Sequence, residues 1–297
     1  MRKKTRIFVC IFVRMKTTGN NGSLSGVRKG LLLAACFAAG LFLQEPAFAQ
    51  KHSVRLMTYN VGAFGKELDD SAPMIARMIA ELGAEVVGLN ELDSCNRRHD
   101  INQVQHLCDE LNALPGMGRR KASWQGRFGR AMAYAGGAYG CGIVSRARIR
   151  NHFNIALPQG EGSEPRVCVV VETPRYVYAA CHLDHIDEAA RLEQARVLTA
   201  ELQRRYGKGR KPVFLAGDFN DTPDSALLRQ LSHDWTLLTP LEYSYSAKNP
   251  HVCIDYIFVL HAGPKVSVTS SGLATTFATG NVTTASDHLP LFVDVAF

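Results

Sequence analysis

Lys211-Pro-Val-Phe-Leu-Ala-Gly-Asp-Phe-Asn-Asp-Thr-Pro-Asp224 is the stretch from which the rest of the chain is read. Val213 to Ala216 is a short apolar run closed by Gly217, the pattern of a buried strand that leaves its sheet through a tight turn. The turn then presents Asp218 and Asn220. Residues two apart on a strand project to the same side, so a carboxylate and an amide lean together over the strand's end. Taken alone, the segment reads equally as a polar strand-to-helix loop in which Thr222 or Asp224 caps a helix beginning near Ser225. The other strand ends decide between the two readings.

Working outward, Val54 to Asn60 alternates as a strand and delivers Asn60 at its end. Ser71 caps a helix with Pro73 in its first turn, a stripe of Ile75, Met78, Ile79 and Leu82, and Gly83 as its stop. Glu85 to Leu89 is a buried strand that delivers Asn90 and Glu91. Val104, Leu107, Leu111 and Leu114 share one face of a second helix, which Pro115-Gly116 ends. From Phe128 to Ala180 the chain is strand-rich and punctuated by glycine. Tyr178 to Asp184 again ends in polar residues, ahead of a helix over 187–206 with Leu192, Ala195, Leu198 and Leu202 inward. Cys253 to Leu260, a strand around Val266 to Thr269 and Ser286 to Val293 complete the chain. No repeat or linker divides these elements, and their order predicts two packed sheets covered outside by helices.

Residues 1–49 read as a leader outside the fold. Val27-Arg-Lys29 precedes a short apolar run from Leu31 to Leu43 and the small-x-small pattern Ala47-Phe48-Ala49, the features of a secretory signal cut after Ala49. The apolar run falls short of the ~20 residues a membrane span needs. Acylation at Cys36 is the alternative, and Met15 is an alternative start. The expected mature domain is 50–297, secreted or periplasmic, without a transmembrane span and monomeric. Eight of the 34 Lys and Arg residues but only Glu45 of the 27 carboxylates precede Lys51, which leaves 26 of each. A balanced domain argues against processive work on duplex DNA, because proteins that grip long nucleic acid present excess Lys and Arg. The one basic cluster is Arg119-Arg120-Lys121 with Arg127 and Arg130, interrupted by Trp124 and Phe128. Six cysteines remain after the leader. None has zinc-like spacing, and buried free thiols are expected, with Cys168 opposite Cys181 in a hairpin.

Six strand ends thus carry Asn60, Glu91, His182 with Asp184, Asp218 with Asn220, Asp255, and Asp287 with His288. Each alone reads as a satisfied structural residue, whereas their repetition implies one shared site. The motifs Thr58-Tyr-Asn60, Leu89-Asn-Glu91, His182-Leu-Asp184, Gly217-Asp-Phe-Asn220, Ile254-Asp-Tyr256 and Ser286-Asp-His288 strongly resemble, in order, those of the endonuclease/exonuclease/phosphatase superfamily. The usual Gln before the glutamate is Asn90 here, a change expected to affect packing more than chemistry. The resemblance implies an α/β (α+β) fold, a four-layer α/β/β/α sandwich of two mixed sheets, and a phosphoester hydrolase working by in-line attack of activated water.

A phosphoester needs a cation for its non-bridging oxygens, a base for water and donors for the transition state. Glu91 and Asn60 offer hard oxygen ligands for Mg²⁺ or Mn²⁺, with Asp287 a further candidate. His288 is the candidate base, oriented by Asp255. Asn220 is expected to hold a phosphoryl oxygen or the attacking water, and His182 to donate to a phosphoryl oxygen or assist the leaving group. Asp218 and Asp287 stay open between metal, water activation and orientation. Arg166 and Asp184 are candidate substrate contacts, Arg166 reading equally as solvent-facing. A phosphoester is the expected substrate, with nucleic acid as an alternative partner. The competing readings are a DNA or RNA nuclease and a phospho-ligand binding domain without turnover, the latter opposed by the complete set of metal, base and donor residues.

Overall fold

A computed structural model describes residues 53–115 and 123–297. The proposed leader, its cleavage site, Cys36 and Arg119 to Lys121 lie outside the described residues. In chain order the elements are β1 (Ser53–Asn60), α1 (Ala72–Leu82), β2 (Val86–Ser94), α2 (Gln103–Ala113), β3 (Gln125–Tyr134), β4 (Gly137–Ser145), β5 (Asn151–Leu157), β6 (Arg166–Glu172) and β7 (Val177–His182). They continue with α3 (Glu188–Tyr206), β8 (Val213–Asp218), α4 (Ala226–Leu231), β9 (Trp235–Leu237), β10 (Asp255–Leu260), β11 (Ser267–Leu273), α5 (Val282–Ala285) and β12 (Leu291–Ala296).

The strands form two six-stranded sheets, in the orders β11-β12-β1-β2-β4-β3 and β5-β6-β7-β8-β10-β9. Each sheet is antiparallel except at one central pair, β1 with β2 and β7 with β8. Those parallel pairs are the two places where a long helix, α1 or α3, connects neighbouring strands, as parallel pairing requires. Alternation along the central strands then builds four layers. In β8, Phe214 and Ala216 join Leu56, Val86, Tyr178 and Val293 in the core between the sheets. Its Val213 and Leu215 face Leu198, Leu202 and Leu227 of the helices instead. In β1, Met57 and Tyr59 point outward to Ile75, Met78, Ile79 and Leu107. A strand buried on both faces needs a layer on each side, which is why β8 reads as an unbroken apolar run.

Most expected elements are present, with shifts at their ends. Gly83 takes the left-handed conformation that stops α1, while the Ser71 hydroxyl donates to Ala285 O and leaves the helix start to Asp70. Leu82, Leu114 and Leu192 pack only at the margins of their clusters. Neither Thr222 nor Asp224 caps α4. Ser225 does, its Oγ accepting from Leu228 N at 3.2 Å, whereas Thr222 and Asp224 bond to each other. Trp124 is a buried anchor against the α2 side of the core. All six cysteines are free, and Cys168 does lie opposite Cys181. Among the described residues no helix is long and apolar enough to cross a membrane.

Candidate active site

Strand register assembles the site before any side chain is considered. The parallel pairing of β7 and β8 sets His182 beside Asp218, and the antiparallel pairing of β10 and β8 sets Asp255 on its other side. Register partners share a face, so the three residues form one row across the sheet. In the facing sheet Asn60 lies beside Asn90. Asn90 ties the two sheets together: its Nδ2 donates to Cys181 O at 2.8 Å and its Oδ1 accepts from Asp218 N at 3.1 Å. Gly217 is needed just before Asp218, because it adopts φ +145° and a Cβ there would lie 1.8 Å from Cys181 O.

Three of the expected strand-end positions are reached in other ways. Asn90 and Glu91 do not end β2, which runs on to Ser94. They sit at a break in register with β4 between Leu89 and Leu92, and Glu91 has φ +57°. A bulge of this kind re-aims a side chain out of the strand's alternation. Asp255 begins its strand. Asp287 and His288 precede β12 in a loop held to β1, where Ser286 Oγ donates to Asn60 O at 2.7 Å.

Asp218 is the buried centre, 1% exposed. The Asn60 amide donates to its Oδ2 at 3.1 Å, and the Nε2 atoms of both His182 and His288 lie 3.6 Å from the same oxygen. Asn220, in the left-handed region that Asn tolerates, donates its backbone N–H to Asp218 Oδ1 at 2.9 Å and its amide to Leu183 O at 3.0 Å. On the other side of His288, Nδ1 is 2.9 Å from Asp255 Oδ2, which also accepts the Ser244 hydroxyl at 2.6 Å. The Tyr245 ring covers His288 at a centroid distance of 4.9 Å.

These surroundings move three protonation equilibria. Burial raises the Asp218 carboxyl above its ordinary value, and the charge of Asp255 adds to the effect, against the opposing pull of His288 and of the Asn220 and Asn60 donors. Burial works against the charged form of His288. The carboxylates of Asp255, Asp218 and Asp287 outweigh it and push this imidazole up to about 9. His182 moves the opposite way, well below its usual value, through burial first and then the positive charge of Arg166 and its neighbours. His182 is therefore neutral at pH 7 while His288 holds its proton.

Arg166 is buried, not solvent-facing, and organises the opposite wall. Its Nη1 lies 3.4 Å from His182 Nδ1 and its Nη2 lies 2.9 Å from His185 Nδ1. A guanidinium only donates, so it holds Nδ1 of each ring as the acceptor and leaves Nε2–H as the donor, which in His182 faces the Asp218 carboxylate. The pocket between these groups encloses about 420 Å³ and is lined also by Lys66, Glu91, Tyr139, Asn220 and Asp287. Asp184 does not line it. Its Oδ1 instead accepts from Ile186 N and Asp187 N, both at 2.8 Å, and so shapes the turn that carries His185.

The sequence model of the endonuclease/exonuclease/phosphatase family matches residues 57–288, a span that contains every residue of this cluster. The chain belongs to that family. Members of the family are phosphoester hydrolases and generally depend on a divalent metal. Solved structures share the fold at low identity. A family member from Bacteroides thetaiotaomicron aligns with a TM-score of 0.64 at 20% identity, over 84% of this chain and 99% of its own. A mannosyl-6-phosphatase from the same species aligns at 0.62 and 21% identity, over 82% and 100%. The human Nocturnin catalytic domain with bound sulfate aligns at 0.60 and 18% identity, over 84% and 98%. Comparison with curated proteins finds no match.

A family metal fits best between Glu91 and Asp287. The Lys66 ammonium already stands there in place of a cation, 3.5 Å from Glu91 Oε2 and 3.1 Å from Asp287 Oδ2. Two hard carboxylates suit Mg²⁺ or Mn²⁺ better than softer ions. Asn60 turns its amino group to Glu91 Oε1 at 3.0 Å, while its Oδ1 accepts from Gly62 N, so in this arrangement it orients the carboxylates as a donor. Asp218, Asp255 and His288 also bring potential ligand atoms within 4.8 Å of one another. That group makes a poorer site, because His288 Nδ1 and Asp255 Oδ2 already bond each other.

Lys66, His185, Tyr139, Tyr245 and Ser244 belong to the site although the sequence reading did not single them out. His185 directly follows the His182-Leu-Asp184 motif, and Lys66 lies six residues after Asn60, so their positions were the available signals. Ser244 and Tyr245 lie in an irregular segment with no periodicity to place them.

Proposed function

We propose that this protein is a divalent-metal-dependent hydrolase of small phosphate esters. The observation that carries the reading is the convergence of Asn60, His182 and His288 on the single buried carboxylate of Asp218, facing Arg166 and His185 across one compact pocket. When bound, Mg²⁺ or Mn²⁺ supplies charge neutralisation at a phosphoryl oxygen. Glu91 and Asp287 are the residues that would hold it.

The chain's own groups do the rest. Arg166 and the Nε2–H donors of His182 and His185 bind phosphoryl oxygens, where charge-assisted bonds are strongest. Asn220 positions the attacking water. Asp218 takes a proton from that water, since a carboxylate raised toward neutrality is a better base than an ordinary one. His288 stays an imidazolium, held by Asp255, and stabilises the charge that builds on the phosphoryl oxygens beside the attacking water, while the leaving oxygen departs on the far side and takes its proton from solvent. This division takes water activation, one of the roles left open for Asp218, and moves the base role off the His288 expected to hold it, because a second carboxylate lies at His288 Nε2.

The pocket volume, with Tyr139 and Tyr245 among its lining residues, and the even charge balance support a small substrate. One structural neighbour of the same fold is a mannosyl-6-phosphatase. The test is release of product from p-nitrophenyl and bis-p-nitrophenyl phosphate, sugar and inositol phosphates, phospholipid head groups, RNA and plasmid DNA, each with Mn²⁺ or Mg²⁺ at low and moderate salt. Small esters are expected to turn over fastest, with little salt dependence. Efficient plasmid nicking that falls steeply with salt would make the nuclease reading the correct one. The pattern around Ala47-Phe48-Ala49 supports export as part of the same proposal. Mass spectrometry of the natural protein should then find a chain beginning near Gln50, and an intact leader or a lipid on Cys36 would contradict it.

A further inference from the structure

The turn after β1 carries a cation into the acidic corner of the site. Gly62, Ala63 and Phe64 have φ of 52°, 54° and 56°, three successive residues in the left-handed region. Their backbone is held by Gln103 Nε2 donating to Ala63 O at 2.6 Å and by Ser71 N donating to Phe64 O at 2.9 Å. Phe64 is buried beneath the turn. The side chain of Lys66 folds back over Gly62, where a Cβ would lie 2.3 Å from Lys66 Cγ and 2.5 Å from Cε. A side chain at position 62 would have to displace the Lys66 stem from that path. The ammonium so delivered bridges Glu91 and Asp287, and the adjacent Glu67 pairs with Lys248 at 2.6 Å.

We propose that Lys66 is the resident counter-cation of this site: its ammonium neutralises Glu91 and Asp287, and it gives way when a divalent cation binds the same two carboxylates. The inference rests on the metal assignment proposed above. Mg²⁺-like ions bind carboxylate oxygens at ~2.0–2.1 Å, so an ion on both residues lies in the gap the ammonium fills, and two positive charges do not share it. The anchored turn stays in place while the flexible four-carbon stem, 38% exposed, swings out. Lys66 is thus a positioning residue that keeps two neighbouring carboxylates preorganised and sets the affinity of the site for metal.

Two measurements on the full-length protein test this without reference to turnover. Calorimetric titration with Mn²⁺ should show Lys66→Met binding about five- to tenfold tighter than wild type, because the competing ion pair is gone. In wild-type protein, brief acetylation read by mass spectrometry should label Lys66 several times faster with Mn²⁺ than with chelator, other lysines serving as the reference. This second readout needs no variant and survives any folding defect in Lys66→Met. Mn²⁺ affinity that is unchanged or weaker in Lys66→Met, or labelling that does not rise with Mn²⁺, overturns the inference and leaves the metal assignment standing. No Mn²⁺ binding by either protein removes both.

Discussion

Asp218→Asn is expected to lower kcat by about 10²–10⁴-fold, the span that removal of a positioned general base covers. The substitution keeps the shape of the side chain and, through its one oxygen, the contact with Asn220 N, while its NH2 replaces the oxygen that accepts from Asn60. Arg166 and His185 are untouched, so substrate binding should weaken far less than turnover. The pH dependence separates this assignment from its rival. The active form has Asp218 ionised and His288 protonated. On the acid side the rate should rise with pH as the raised carboxyl of Asp218 loses its proton, and on the alkaline side it should fall through about 9 as His288 loses its own. Because the two groups lie 3.6 Å apart, the limbs belong to the pair. His288→Gln should abolish the alkaline limb. A kcat that keeps rising through pH 9 in wild type would return the base role to a neutral His288 and leave Asp218 as its orienting partner.

What could be read from the sequence was whatever periodicity and turn chemistry impose locally. Gly217 before Asp218 was legible because a buried run closed by glycine announces a turn, and the structure adds the reason, an approach to Cys181 O that no Cβ tolerates. The apolar runs of β7 and β8 were legible for the same cause as their burial on both faces. Glu91 was found, but as a strand end. Its actual place is a register break inside β2, for which two-residue alternation holds no mark. Arg166 and His185 illustrate a different limit. Whether an arginine faces water or two imidazoles depends on which strand lies across from it, a contact over 16 or 19 residues that register decides. Asp184 was assigned to substrate alongside His182, two residues earlier, yet β7 ends at His182, and beyond it the Asp184 carboxylate is captured by the backbone of the next turn.

Glu91→Gln is expected to have the largest effect, a fall in turnover of about 10³-fold or more, since a cation supplies several kcal/mol of charge stabilisation and each ~1.4 kcal/mol is a factor of ten. Gln is the informative replacement, because Glu91 sits at φ +57°, and keeping its length and branching leaves the bulge and its backbone unchanged. The variant should melt close to wild type and retain the fold, as circular dichroism would report. Its charge loss acts twice: a ligand oxygen is weakened, and Lys66 keeps only Asp287 as a partner. Mn²⁺ titration should therefore weaken together with turnover, and saturating Mn²⁺ should restore part of the rate if the deficit is occupancy and none of it if the carboxylate is also needed to place the ion. Excess chelator should reduce wild type to the level of the variant. Equal hydrolysis of a phosphodiester with and without chelator, in wild-type protein, would show that Glu91 and Asp287 serve Lys66 alone and that the chemistry runs on Asp218, His288 and the Arg166 wall without a metal.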